Sequence, residues 1–253
     1  MILKGRSVSG GNADGYAKKV EKHISFLGDV EPSTGKLKFD DTDISDSILV
    51  FPGGRGSTVG SYVIYQLKKS GHAPSAIINR RTETIVATGA IISDLPLVDN
   101  IDISLITSGD HLVVDGDKGT VEIIDVKSDP VVTVFLQKKG KILLVKRGED
   151  VGSYRGKWSA ISGYIEGKTP LEQAHQEVLE ETGLTGSLIS YGKPISVRYA
   201  DVVWEINPVL FEVESEDEVE LNWENIEYRW VSPDKIKEMD TVPKLWDAYK
   251  STE

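Results

Sequence analysis

Glu177, Glu180 and Glu181 stand at i, i+3 and i+4, a spacing that gathers three carboxylates within one turn of a helix. Like charges so placed repel, and near a helix C-terminus they also oppose the macrodipole. Stability alone does not select this arrangement, although a bare cluster of this kind more often marks a solvated acidic face. A hard divalent cation does select it, because Mg²⁺ takes oxygen ligands and combines a few carboxylates with substrate phosphates and water.

The helix that carries them has legible ends. Thr169 can cap it, Pro170 suits the first helical position, Glu172 completes a capping box, and Gly183 sits where a left-handed residue terminates the helix. Leu171, Ala174 and Val178 form its apolar stripe. Upstream, Val131 to Leu136 and Lys141 to Val145 read as strands joined by a hairpin at Gln137 to Gly140. Lys127 to Pro130 separates this half from a first domain of mixed α and β character, so the expected domains are 1–127 and 131–253.

Within the first domain, Ile48 to Phe51 reads as a buried strand, and the Gly-rich turn Gly53 to Gly56 leads into a helix over Thr58 to Lys69. Ser75 to Asn79 reads as a second buried strand. Thr82 to Ile92 remains open between strand and helix, because β-branched residues compete with the small residues Ala87 to Ala90. Gly35 to Asp46 reads as a loop, and the alternation around Asp115 to Gly119 as a hairpin. A Gly-rich turn between strand and helix can offer backbone N–H groups to an anion, with Ser57 near the cap. A tight turn with an ordinary cap explains it equally well. Neither the dinucleotide fingerprint nor the P-loop pattern is met, since Val59 stands where the former needs glycine and no Gly-Lys-Ser/Thr follows.

Composition narrows the partners. The 253 residues carry 29 basic and 40 acidic side chains, a net charge of −11, which argues against nucleic acid and anionic membranes as partners. The chain has no cysteine, so it supplies no disulfide, thiolate nucleophile or iron–sulfur ligand. No apolar signal region or membrane-length segment is read in it, and a cytoplasmic location is expected.

The stretch from Gly163 to Leu184, preceded by Arg147 and by Gly156-Lys157-Trp158, resembles the Nudix family, whose box runs GX₅EX₇REUXEEXGU with U a bulky aliphatic. The EUXEEXGU half is complete in Glu177, Val178, Glu180, Glu181, Gly183 and Leu184, and the resemblance covers most of residues 131–248. Three positions depart from it. Gln176 replaces the arginine, Lys168 replaces the first glutamate with Glu166 nearby, and the leading glycine falls on Ser162 unless Gly163 takes its part. The resemblance implies an α/β/α sandwich that hydrolyses a nucleoside diphosphate linked to a further group, with Mg²⁺ or Mn²⁺ as cofactor. Glu177 and Glu181 are then the expected direct ligands, Glu180 ligates or orients water, and a Gly163 carbonyl completes the shell. Glu218, Glu220 and Glu224 are unranked candidates for a further base. Arg147 and Trp158 are expected at the substrate, and Tyr164 and Trp204 are further rings able to stack on a base.

In the first half, KGRSVSGGNADGYA, ISFLGDVEPSTGKL, FPGGRGSTVGSYVIYQL and AIINRRTETIVATGAIISDLPLVD resemble the small subunit of the aconitase X group, whose archaeal members are phosphomevalonate dehydratases. This implies a swivelling β/α domain that closes over a large subunit bearing the iron–sulfur cluster. It also implies a proton-transfer role for Ser57, with Arg55, Gly56 and neighbouring loop amides binding anionic groups. The expected function is therefore a Mg²⁺-dependent diphosphate hydrolase fused to a dehydratase small-subunit-like domain. Two alternatives stay open: a ligand-sensing regulatory subunit of such a dehydratase, favoured by Gln176 and Lys168, or a chain that is mainly the dehydratase small subunit. A homodimer is left open as an assembly.

Overall fold

The computed structural model describes residues 1–213 and 218–253, and the chain divides into two compact units, Met1–Lys127 and Ser128–Glu253.

The first unit is built on an eight-stranded sheet. Its centre is parallel: Asn12–Lys19, Ile48–Phe51, Ala76–Asn79 and Leu97–Asp99 lie side by side. Ile48 to Phe51 and Ala76 to Asn79 are buried at every position, as expected of strands covered on both faces. The hairpin of His111–Asp115 and Thr120–Ile123 extends the sheet antiparallel, pairing Asp115 with Thr120 across the glycine-containing turn. Thr84–Ile92 is a helix, which resolves the open segment. Gly89 explains the choice, since a side chain there would collide with Ile64 of the neighbouring helix Gly60–Ser70. That helix begins later than the sequence suggests, with Val59 at its cap and no side-chain capping bond.

The second unit is a sheet between two helices. Lys127–Lys138 pairs with Lys141–Arg147 on one side and with Ile161–Tyr164 along its earlier half. Strand periodicity sends alternate residues to opposite faces. Val132, Val134 and Leu136 pack with Ala174 and Val178 of the helix Pro170–Thr182, whereas Phe135 packs with Leu245, Ala248 and Tyr249 of the helix Leu245–Thr252. The result is the expected α/β/α sandwich. Both expected ends of the acidic helix are present: Thr169 and Glu172 form a reciprocal capping box, Pro170 opens the helix, and Gly183 adopts φ +69°. No described helix is long and apolar enough to cross a membrane.

Candidate functional site

The acidic helix runs past the strand Ile161–Tyr164, and Gly163 is where the Glu177 carboxylate meets that strand. A Cβ there would overlap the Glu177 carboxylate. A side chain at 163 would displace that carboxylate, so Gly163, rather than Ser162, is the position that leaves Glu177 its place. Ser162 contributes its backbone N–H, which donates to Glu181 Oε1 at 3.1 Å.

Each helix carboxylate is held by a neutral donor. Gln173 donates through Nε2 to Glu177 Oε1 at 2.7 Å, and Gln176 donates through Nε2 to Glu180 Oε1 at 2.7 Å, both one turn apart along the helix. The Gln176 carbonyl oxygen in turn accepts from the Lys168 ammonium. The two positions that depart from the Nudix box are thus joined into one relay, Lys168 to Gln176 to Glu180, with the positive charge placed one amide further from the carboxylate.

Glu181 is only 3% exposed and sits behind the cavity wall, with Asn225 Nδ2 donating to its Oε2 at 2.6 Å. Burial, reinforced by the charges of Glu224 and Glu177, pushes its carboxyl up to about 8 despite the bonds from Asn225 and Ser162. Glu177 is also raised, first by burial and then by Glu180 and Glu224, against the bond from Gln173. Both shifts come first from burial, and the neighbouring carboxylates add to them. Glu224 belongs to this cluster, and among the three later glutamates it is the one the structure brings to the site. Glu220 instead packs beside Gly183, its N–H donating to the Thr182 carbonyl, and Glu218 is exposed.

These residues border a cavity of about 680 Å³. Glu166, Glu177, Glu180 and Glu224 face it together with Gly163 and Tyr164, while Arg147, Tyr154, Tyr199 and Trp204 line other parts of its wall. Arg147 is oriented by the Ser153 carbonyl, which accepts from its Nε at 3.0 Å. Trp158 does not reach the cavity. It is buried in the core beside Ile142 and Leu144, and the Arg229 guanidinium covers its ring at 4.8 Å.

The donor chemistry fits a hard cation: oxygen ligands only, in anionic excess, beside an open volume. Among the described residues, no three His, Asp or Glu side chains already converge into a cage. That is compatible with Mg²⁺, which relies on a few carboxylates and fills the remaining positions with water and phosphate oxygens.

In the first unit, the loop after Ile48–Phe51 is fixed by Glu83, whose Oε2 accepts from Gly54 N–H at 2.5 Å. Gly53 and Gly54 leave no room for side chains against Arg81, Glu83 and Val86, and Gly56 takes φ +97° beside Ser25. Ser57 lies exposed beyond this turn, its Oγ accepting from Val59 N–H at 3.3 Å. Arg55 is committed elsewhere: its Nη2 pairs with Asp29 at 2.9 Å and its Nε donates to the His23 carbonyl at 3.1 Å. An anion arriving at the loop must compete with Asp29 for that guanidinium.

Comparison with known proteins agrees with these two architectures. Residues 2–123 match the aconitase X swivel domain family, and residues 127–251 match the NUDIX domain family. The phosphomevalonate dehydratase small subunit of Thermococcus kodakarensis is 53% identical over 130 residues, an overlap of 49% of this chain and 98% of that protein. Among solved structures, aconitase X of the same organism in its holo-form is 52% identical, covering 49% of this chain and 98% of that one with a TM-score of 0.48. The MutT protein of Methanosarcina mazei Go1 is 26% identical, covering 50% and 94% with a TM-score of 0.44. The chain therefore belongs to the aconitase X swivel-domain family through its first half and carries a NUDIX domain in its second.

Proposed function

We propose that the second unit is a Mg²⁺- or Mn²⁺-dependent hydrolase that cleaves the diphosphate linkage of a nucleoside diphosphate joined to a further group. The observation that carries this reading is the set of carboxylates, Glu177, Glu180 and Glu224, facing one cavity, with Glu177 raised in proton affinity first by burial and then by Glu180 and Glu224. Glu177 and Glu180 would hold the cation, with Gly163 giving Glu177 its room and Glu181 tying the helix to Ser162 and Asn225 behind them. The cation, when bound, neutralises phosphate oxygens and favours attack at phosphorus. Glu224 is the group placed to take a proton from water, and Arg147 is the cavity cation available to orient the substrate's negative charge.

The first unit acts, in this reading, as the small subunit of a phosphomevalonate-type dehydratase, with Ser57 in proton transfer and Arg55 and Gly56 at the substrate's anionic groups. Its support is the extent of similarity to proteins of that name. Without cysteine, the iron–sulfur cluster must come from a large subunit. A serine hydroxyl is a poor base unless its alkoxide is stabilised, so the unit alone is expected to be inert.

One observation favours a second reading, in which the NUDIX domain senses a ligand without cleaving it: Lys168 and Gln176 replace a direct charge pairing with a relay. The deciding experiment measures product formation with Mg²⁺ across nucleotide sugars, ADP-ribose, dinucleotides, nucleoside triphosphates and isoprenoid diphosphates, with Glu177→Gln and Glu181→Gln as controls. Turnover abolished by both substitutions supports the hydrolase. Ligand-dependent thermal stabilisation with no turnover of any compound moves the conclusion to the sensor.

A further inference from the structure

Two glutamines on the acidic helix make the same bond, yet they stand in unlike places. Gln176 is partly exposed and both ends of its amide are used, the oxygen by the Lys168 ammonium and the nitrogen by Glu180. Gln173 is 5% exposed, borders the cavity and uses one end only: Nε2 donates to Glu177 Oε1 at 2.7 Å, while its own Oε1 is buried without a donor. The bond fixes the amide's orientation, because only the NH₂ end can donate to a carboxylate.

Stability does not select glutamine at position 173. Buried polar groups are nearly always paired, and an acceptor left without a donor is destabilising. Ala174 and Val178, buried on the same helix, are apolar. A methionine at 173 would suit a helix as well as glutamine, adapt to the same space and bury no unpaired atom. What glutamine adds is the bond to Glu177. That bond occupies Oε1, the carboxylate oxygen that lies nearest the Gly163 backbone. Glu177 Oε2 accepts from nothing among the described residues.

We propose that Gln173 is a positioning residue for the metal centre: it holds Glu177 in one conformation through Oε1 and leaves Oε2 as the oxygen that a divalent cation takes. This rests on the metal-binding reading of the cavity and adds to it the side chain that sets the ligand's geometry. Mg²⁺ demands near-octahedral coordination, so an oxygen held in one place binds it better than a carboxylate free to turn. Position 173 falls in the stretch that the Nudix box leaves unspecified. The orientation of Glu177 is thus assigned to a buried neutral amide one turn before it, while position 176 serves Glu180.

The test is Mn²⁺ binding to the full chain without substrate, by electron paramagnetic resonance of the free ion, with urea unfolding in chelator on the same proteins. Gln173→Met removes the donor and the unpaired acceptor together. It is expected to weaken Mn²⁺ roughly tenfold with an unfolding midpoint at or above wild type. Gln173→Asn keeps an amide but withdraws it by one methylene, is expected to lose affinity by a similar factor, and decides the matter should Gln173→Met not fold. In a Glu177→Gln background either substitution is expected to add no further loss, because Gln173 acts through Glu177 alone. Wild-type Mn²⁺ affinity in a folded variant overturns the proposal, as does a loss that persists undiminished in the Glu177→Gln background, which marks a general disturbance of the helix. Absence of Mn²⁺ binding by the wild type overturns it as well. Mn²⁺ binding that depends on Gln173, with no hydrolysis of any diphosphate, retires the hydrolase reading and leaves this role standing. Mg²⁺-dependent hydrolysis by a Gln173→Met protein of wild-type metal affinity does the reverse.

Discussion

In the metal-free protein, the second unit should lose stability as pH rises across the neutral range, and Glu181 is the reason. Its carboxyl titrates at about 8 in the folded chain against an ordinary 4.5, because burial outweighs the bonds from Asn225 and Ser162. Between those two values the unfolded chain has released the proton while the folded chain keeps it, so each increment of pH favours unfolding. The contribution is fully present below 4.5, is lost progressively as pH rises to about 8, and changes no further above it. Each tenfold step in proton affinity is worth about 1.4 kcal/mol, so the rise from pH 5.5 to 8.5 should cost about 3 kcal/mol. All five tryptophans lie in the second unit, at 158, 204, 223, 230 and 246, so tryptophan fluorescence follows its unfolding without interference from the first. Urea titrations in chelator at the two pH values give the difference directly, and Glu181→Gln supplies the slope due to every other group. Saturating Mg²⁺ should shrink the difference if the cation offsets the local negative charge. Equal midpoints at the two pH values, or the same slope in Glu181→Gln, would show that Glu181 is ionised in the folded protein and that its burial does not outweigh the bonds from Asn225 and Ser162.

Gly163→Ala pushes a methyl group into the Glu177 carboxylate, and should lower Mg²⁺-dependent turnover roughly 100-fold while the fluorescence-monitored unfolding midpoint stays close to wild type. Thr169→Ala removes the side-chain acceptor for Glu172 N–H and should cost about 1 kcal/mol by urea unfolding of the second unit. Lys168→Glu combined with Gln176→Arg restores a direct charge pairing, and a double-mutant cycle on kcat/KM should show about 1 kcal/mol of favourable coupling, roughly fivefold. Strict additivity would mean that Lys168 and Gln176 do not act through one relay.

Local signals made the acidic helix readable from sequence. Thr169, Pro170, Glu172 and Gly183 act within a turn of their own position, and each takes the expected conformation. The Gln173–Glu177 and Gln176–Glu180 bonds were available from the same spacing rule, since residues four apart on a helix face each other, but Gln173 passes as filler until its partner is known. Other features depend on distant pairing. Glu224 cannot be ranked above Glu218 or Glu220 until the strand Asn225–Val231 is laid against Lys141–Arg147, which brings the end of that segment to the cavity. Trp158 is similarly undetermined in sequence, because core and cavity rim demand the same aromatic surface, and the Arg229 ring contact that marks it as core lies far along the chain. The Arg55–Asp29 pair has no short-range signature either, being set by the approach of two loops.

The departures from the Nudix box read differently once the hydrogen bonds are traced. An arginine at position 176 would bring positive charge directly to Glu180; glutamine brings only a dipole, and the Lys168 ammonium polarises the far end of that dipole. Glu177 receives an amide from Gln173 and no cation. The helix is therefore organised geometrically without a directly paired cation, and burial together with neighbouring carboxylates leaves Glu177 and Glu181 raised in proton affinity. A site in this state should take up a divalent cation with release of protons, more steeply dependent on pH than one whose carboxylates are already paired with arginine. Proton release measured by calorimetry in buffers of different ionisation enthalpy reads this directly: uptake of Mg²⁺ at pH 7 should release close to one proton in the wild type and markedly fewer in Glu181→Gln. A release that is the same in both would place the missing charge compensation somewhere other than this helix.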